Sequence, residues 1–148
     1  MNPFDPRAML FAKHAQHVVV IHLPIGLFVA SVGFDLLSRW KKRTSLAAAS
    51  YYNLGAAAFT SLLALGTGLA AWQWQLEGQC LRGNLLLHLI FAILSTFLVW
   101  VLWCWRRRKE PGSVTSTPYL AFSFVALLIV ASTGHLGGIL SGVNTSGN

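Results

Sequence analysis

Charge is scarce in this sequence. Charged residues make up 10% of its 148 positions, and only four are acidic: Asp5, Asp35, Glu77 and Glu110. A globular domain carries about 25% charged residues, so an ordinary soluble domain is not expected. A hydrophobic share of 55% equally excludes a disordered chain. No HExxH, P-loop or Ser/His/Asp arrangement is present, which argues against hydrolytic and nucleotide-cleaving enzymes. Cysteine is limited to Cys80 and Cys104, and there is no CxxCH, so covalently attached c-type haem is not expected. No linker is long enough to set off a second domain, and residues 1–148 read as one unit.

Hydrophobicity is plentiful. Mean hydropathy is +0.58, and four apolar stretches run over about 18–38, 51–73, 85–105 and 119–140. Each is near the roughly 20 residues that a membrane-spanning helix needs. None has the alternating pattern of an outer-membrane strand. The sequence therefore predicts an all-α integral membrane protein, an up-down-up-down bundle of four helices. Met1–His17 lacks the apolar core of a signal peptide, so helix 1 is expected to remain in the mature protein.

The net charge of +7 has a topological reading. Arg39, Lys41, Lys42 and Arg43 follow helix 1, and Arg106, Arg107, Arg108 and Lys109 follow helix 3. The positive-inside rule places both loops in the cytoplasm of a bacterial inner membrane and both termini on the outer side. The same charges touch anionic lipid in the bilayer, and nucleic acid is not expected as a partner. Cys80 and Cys104 then lie on opposite sides, out of disulfide reach. All six tryptophans lie near predicted helix ends, as an interfacial aromatic belt does. Asp35, one turn from the cytoplasmic end of helix 1, is placed to pair with Arg39 at i+4.

The histidines carry the functional signal. His14, His17, His22, His88 and His135 all fall toward the outer side, and ionisable groups within a membrane are functional candidates. Counting from the basic loops at 1.5 Å per residue puts His22, His88 and His135 at about 26–27 Å, in one layer. His17 lies higher and His14 outside the membrane. An offset of 66 residues maps His22 onto His88, Thr67-Gly68 onto Thr133-Gly134, and Lys41–Arg43 onto Arg107–Lys109. Two hairpins in the same orientation would place His22 and His88 opposite each other across the core. Gly26 and Ala92, one turn inward, leave room for a flat ring. Any one histidine is more often a hydrogen-bonding interfacial group; three in a layer favour a shared cofactor.

Three readings follow. In the first, His22 and His88 ligate haem b as an electron-transfer centre. Arg82 or Lys13 would pair with the propionates, and His17 and His135 would serve a propionate, a quinone or a proton. In the second, His22, His88 and His135 hold a copper, zinc or iron ion. In the third, the chain is a cofactor-free assembly or anchor subunit.

The run HVVVIHLPIG, Phe34-Asp35, the His88 helix and the closing Thr133-Gly134-His135-Leu136-Gly137-Gly138 carry a resemblance over most of the chain. They resemble a family of four-helix bacterial membrane proteins of unknown function with an HPxxVHFPI-type motif. His17, His22, Pro24, Asp35, His88, Gly137 and Gly138 match by position. Val18 stands where the family often has Pro, and the chain ends in LSGVNTSGN rather than an aromatic-Gly tail. Relatives joined to Rieske or c-type cytochrome modules imply electron transfer at the outer face. The partner here would be a separate periplasmic cytochrome or Rieske protein, or a larger respiratory or photosynthetic complex.

Overall fold

The computed structural model describes residues 15–142. The N-terminal segment carrying Lys13 and His14, and the chain end after residue 142, lie outside the described residues. Four helices follow in order: α1 Ala15–Lys41, α2 Thr44–Gln75, α3 Gly83–Arg106 and α4 Thr117–Leu140. There is no strand among the described residues. The shortest helices have 24 residues, which rise about 36 Å against a hydrocarbon core of about 30 Å. All four are long and apolar enough to cross a membrane.

The helices run beyond the hydropathic spans. The clearest case is α2, which starts at Thr44 rather than near Tyr51. Its first two turns, TSLAAAS, are rich in alanine, a strong helix former with modest hydropathy. The α1–α2 turn is correspondingly tight, with only Lys42 and Arg43 between the helices. Lys42 takes a left-handed φ of 52° to make it. Pro24 sits inside α1 without ending it, as membrane helices tolerate.

α1 packs most extensively on α2, and α3 on α4; α2–α3 and a narrower α1–α4 contact close the ring. α1 and α3 are thus diagonal. Small side chains line the α1–α2 contact. Ala47, Ser50, Ala57, Ala58 and Ser61 of α2 are buried, letting the backbones approach closely. The Ser31 hydroxyl donates to Ser50 O at 3.0 Å. Val19, Leu63, Phe97 and Leu128, by contrast, are exposed, giving the apolar exterior that a bilayer requires.

The polar interior is concentrated at the basic end, where α1 and α3 finish. Asp35 and Arg106 are 1% and 2% exposed and form an ion pair, with Arg106 Nη2 3.8 Å from Asp35 Oδ1. Arg106 also donates to Ser113 O at 2.8 Å, Ala47 O at 3.1 Å and Pro111 O at 3.3 Å. One guanidinium therefore joins α1, the start of α2, its own helix and the α3–α4 loop. The expected Asp35–Arg39 pair is not formed. Asp35 faces the core, whereas Arg39 is exposed and reaches across to the α3–α4 loop and the first residue of α4, donating to Thr115 O at 2.8 Å and Thr117 Oγ1 at 3.1 Å. Two of the eight loop cations thus hold the bundle together, in addition to any part in topology.

Removing one member of a buried ion pair leaves an uncompensated charge, costing about 3–5 kcal/mol. Arg106→Met should therefore lower the thermal midpoint of the detergent-solubilised protein far more than Arg107→Met, since Arg107 is exposed. The double variant Asp35→Leu/Arg106→Met should recover part of the loss, and equal midpoints for the two single variants would contradict this role.

Candidate functional site

The opposite end of the bundle gathers the N-termini of α1 and α3 and the C-termini of α2 and α4. His17 of α1 and His88 of α3 both lie at this end. Both rings are partly buried and lie within electrostatic reach of one another. Helix geometry accounts for this. His17 lies eighteen residues before Asp35 and His88 eighteen residues before Arg106, and eighteen residues make five whole turns and a rise of about 27 Å. Each histidine therefore shares a helix face with one member of the ion pair.

Each imidazole is held at Nδ1. His17 Nδ1 is 3.0 Å from Thr67 Oγ1. The Thr67 hydroxyl already donates to Ala64 O at 3.0 Å, so it accepts from His17 Nδ1–H. His88 Nδ1 is 3.1 Å from Thr133 O, a carbonyl that can only accept, so His88 also carries its proton on Nδ1. Both Nε2 atoms are left with a lone pair and no hydrogen bond among the described residues. The Thr133 hydroxyl donates to Ile129 O at 2.9 Å, and Ser95 therefore donates to Thr133 Oγ1 at 2.8 Å. That bond ties α3 to α4 two turns below His88.

Each ring also lies over a glycine of the neighbouring helix. A Cβ on Gly68 would stand 3.0 Å from His17 Cε1, and one on Gly137 would stand 3.1 Å from His88 Cε1. The site is thus built twice, each time from a histidine on an odd helix and a threonine and glycine near the C-terminus of the next.

The expected facing of His22 and His88 is not what the structure shows. His22 is exposed and donates Nδ1–H to Val18 O of its own helix. The 66-residue offset holds between Thr67 and Thr133, but α1 and α3 are related by 71, which maps His17 onto His88 and Asp35 onto Arg106. Levels counted from Arg39 misplace the layer by about one turn, because Asp35, four residues earlier, is what meets Arg106. Gly26 is exposed, with nothing within 4 Å of an added Cβ, so it makes no room beside a ring. His135 is exposed on α4 and Arg82 is exposed at the start of α3. The proposed metal set of His22, His88 and His135 is not assembled: no three His, Cys, Asp or Glu side chains are grouped to hold a metal ion among the described residues.

A family model described as a predicted membrane protein, DUF2231, matches residues 13–147. No curated protein and no solved structure matches the chain.

The contact of each ring with a glycine is open to substitution. Gly68→Ala and Gly137→Ala each force a ring or a helix to move, at a cost of about 1–3 kcal/mol. Gly26→Ala meets nothing and should be neutral or stabilising by up to about 1 kcal/mol through helix propensity. Thermal midpoints of the three variants in one detergent would check this, and a Gly26→Ala loss matching the other two would refute it.

Proposed function

The chain belongs to the DUF2231 family of predicted membrane proteins, and we propose that it is a membrane-embedded electron carrier holding haem b between His17 and His88. One observation carries the reading: two partly buried imidazoles from diagonal helices, each fixed through Nδ1–H and each with no hydrogen bond at Nε2 among the described residues. Iron held by two imidazole nitrogens supplies a one-electron ferric–ferrous couple.

The residues present suit that group. A histidine whose Nδ1–H is donated to an oxygen has its tautomer and ring direction set, and its Nε2 is a better ligand for it. Thr67 Oγ1 and Thr133 O do this for the two rings. Gly68 and Gly137 admit the rings close to α2 and α4, where an added Cβ would stand only 3.0 and 3.1 Å from a ring carbon. Ser95 braces the α4 turn that carries Thr133 O. Arg82, exposed at the same end, is a cation available to a propionate. A three-histidine metal site has less support, because His22 is turned onto its own helix.

The described residues form no module outside the bundle. Electrons would therefore be exchanged with a quinone in the bilayer or with a separate carrier docking at the histidine end. The positive-inside rule makes that the outer face, within reach of a periplasmic cytochrome or Rieske protein.

The test is the absorption spectrum of protein purified from cells supplied with haem, oxidised and then dithionite-reduced. A Soret band with sharp reduced α and β bands and about one iron per chain is expected for bis-histidine ligation. His17→Ala and His88→Ala should each abolish it, while His22→Ala should keep it. Full haem in both single variants, or no haem in the parent protein, would overturn the reading.

A further inference from the structure

The basic end carries a second feature, unrelated to the histidines. On the outer surface of α3 an open face carries Phe97, Trp100 and Val101, then Cys104 and Trp105, and ends at Arg108. Trp105 is shared with a small notch between the end of α3 and the start of α4, whose other walls include Arg106, Lys109, Thr115, Ser116 and Tyr119. The enclosed volume of the notch is about 10 Å³, room for one oxygen-sized atom. This face and the notch, joined at Trp105, form a surface that is apolar along the membrane-embedded part of α3 and cationic where the helix leaves it.

Three further facts give this surface a chemistry. Arg106 and Thr115, both more than nine-tenths buried, each retain a buried polar atom, Nε and Oγ1, with no hydrogen-bond partner. Ser116 is the N-cap of α4 and makes no side-chain cap, so the positive end of a 24-residue helix opens beside the notch, although Pro118 in its first turn has no N–H to offer. Arg108 and Lys109 form no ion pair among the described residues. Asp35 neutralises Arg106, but Arg108, Lys109 and the helix end are left as net positive charge.

From this we infer that the surface is a specific site for an anionic phospholipid. One acyl chain lies along Phe97, Trp100 and Val101. The phosphate sits between Arg108, Lys109 and the start of α4, with an oxygen directed at the notch. A second copy of the chain would bring the same cations against each other and leave them unneutralised. A phospholipid matches both halves of the surface, and its charge is complementary.

Delipidated protein would be titrated in detergent with phosphatidylglycerol and, separately, with phosphatidylcholine, and bound lipid counted by native mass spectrometry. Preferential retention of phosphatidylglycerol is expected. Arg108→Gln/Lys109→Gln should weaken it by about fivefold per charge removed. Both residues are exposed, so the variant should fold, which circular dichroism would verify. Lys41→Gln/Lys42→Gln removes the same charge from the other basic loop and should leave retention unchanged. Inorganic phosphate should fail to displace the lipid. Equal weakening in the two double variants would reduce the effect to general surface charge and overturn the site. Equal retention of phosphatidylcholine, or displacement by phosphate alone, would overturn it as well.

Discussion

The buried pair of Asp35 and Arg106 is the constraint from which the rest of the bundle follows. Neither charge can be left alone once buried away from water, and Arg106 has further donors that must find carbonyls. Meeting those demands fixes the level of α1 against α3 and the position of the α2 start and the α3–α4 loop. Apolar side chains facing lipid cannot do this, since sliding one helix past another changes little when both surroundings are hydrocarbon. Polar contacts therefore supply the register in this fold, and small residues supply the closeness.

Register set at one end is transmitted to the other by rigid helices. Five whole turns separate Asp35 from His17 and Arg106 from His88. Each imidazole therefore lies on the same face of its helix as a member of the ion pair. The local bonds to Thr67 and Thr133 then choose the tautomers, and Gly68 and Gly137 set how near each ring lies to the neighbouring helix. The proposed redox site and the structural clamp are thus two ends of one arrangement about 27 Å apart.

The four spans, their alternation and the crowding of histidines at one end were legible in the sequence because they depend on composition and counting. The 66-residue offset drew attention to Thr67 and Thr133 only as a sign of a repeat; their bonds to the histidines came from the structure, and the offset failed for the ring glycines, where Gly137 rather than Gly134 lies against His88. The pairing was misread. Five residues separate His22 from His17, and an offset that suits α2 and α4 does not suit α1 and α3. The signal that identifies His17 is its five-turn spacing from Asp35, and it acquires meaning only once Asp35 is known to meet Arg106.

The sequence by itself determined that the chain is a four-helix membrane bundle with a basic end and a histidine end, because hydropathy and charge act on each segment separately. Only the tertiary structure decided which histidine joins His88, which glycines lie against the rings, and that Asp35 pairs with Arg106 rather than Arg39. Those outcomes depend on the relative height and rotation of different helices. A membrane exterior sets these only weakly, and a few buried polar contacts settle them.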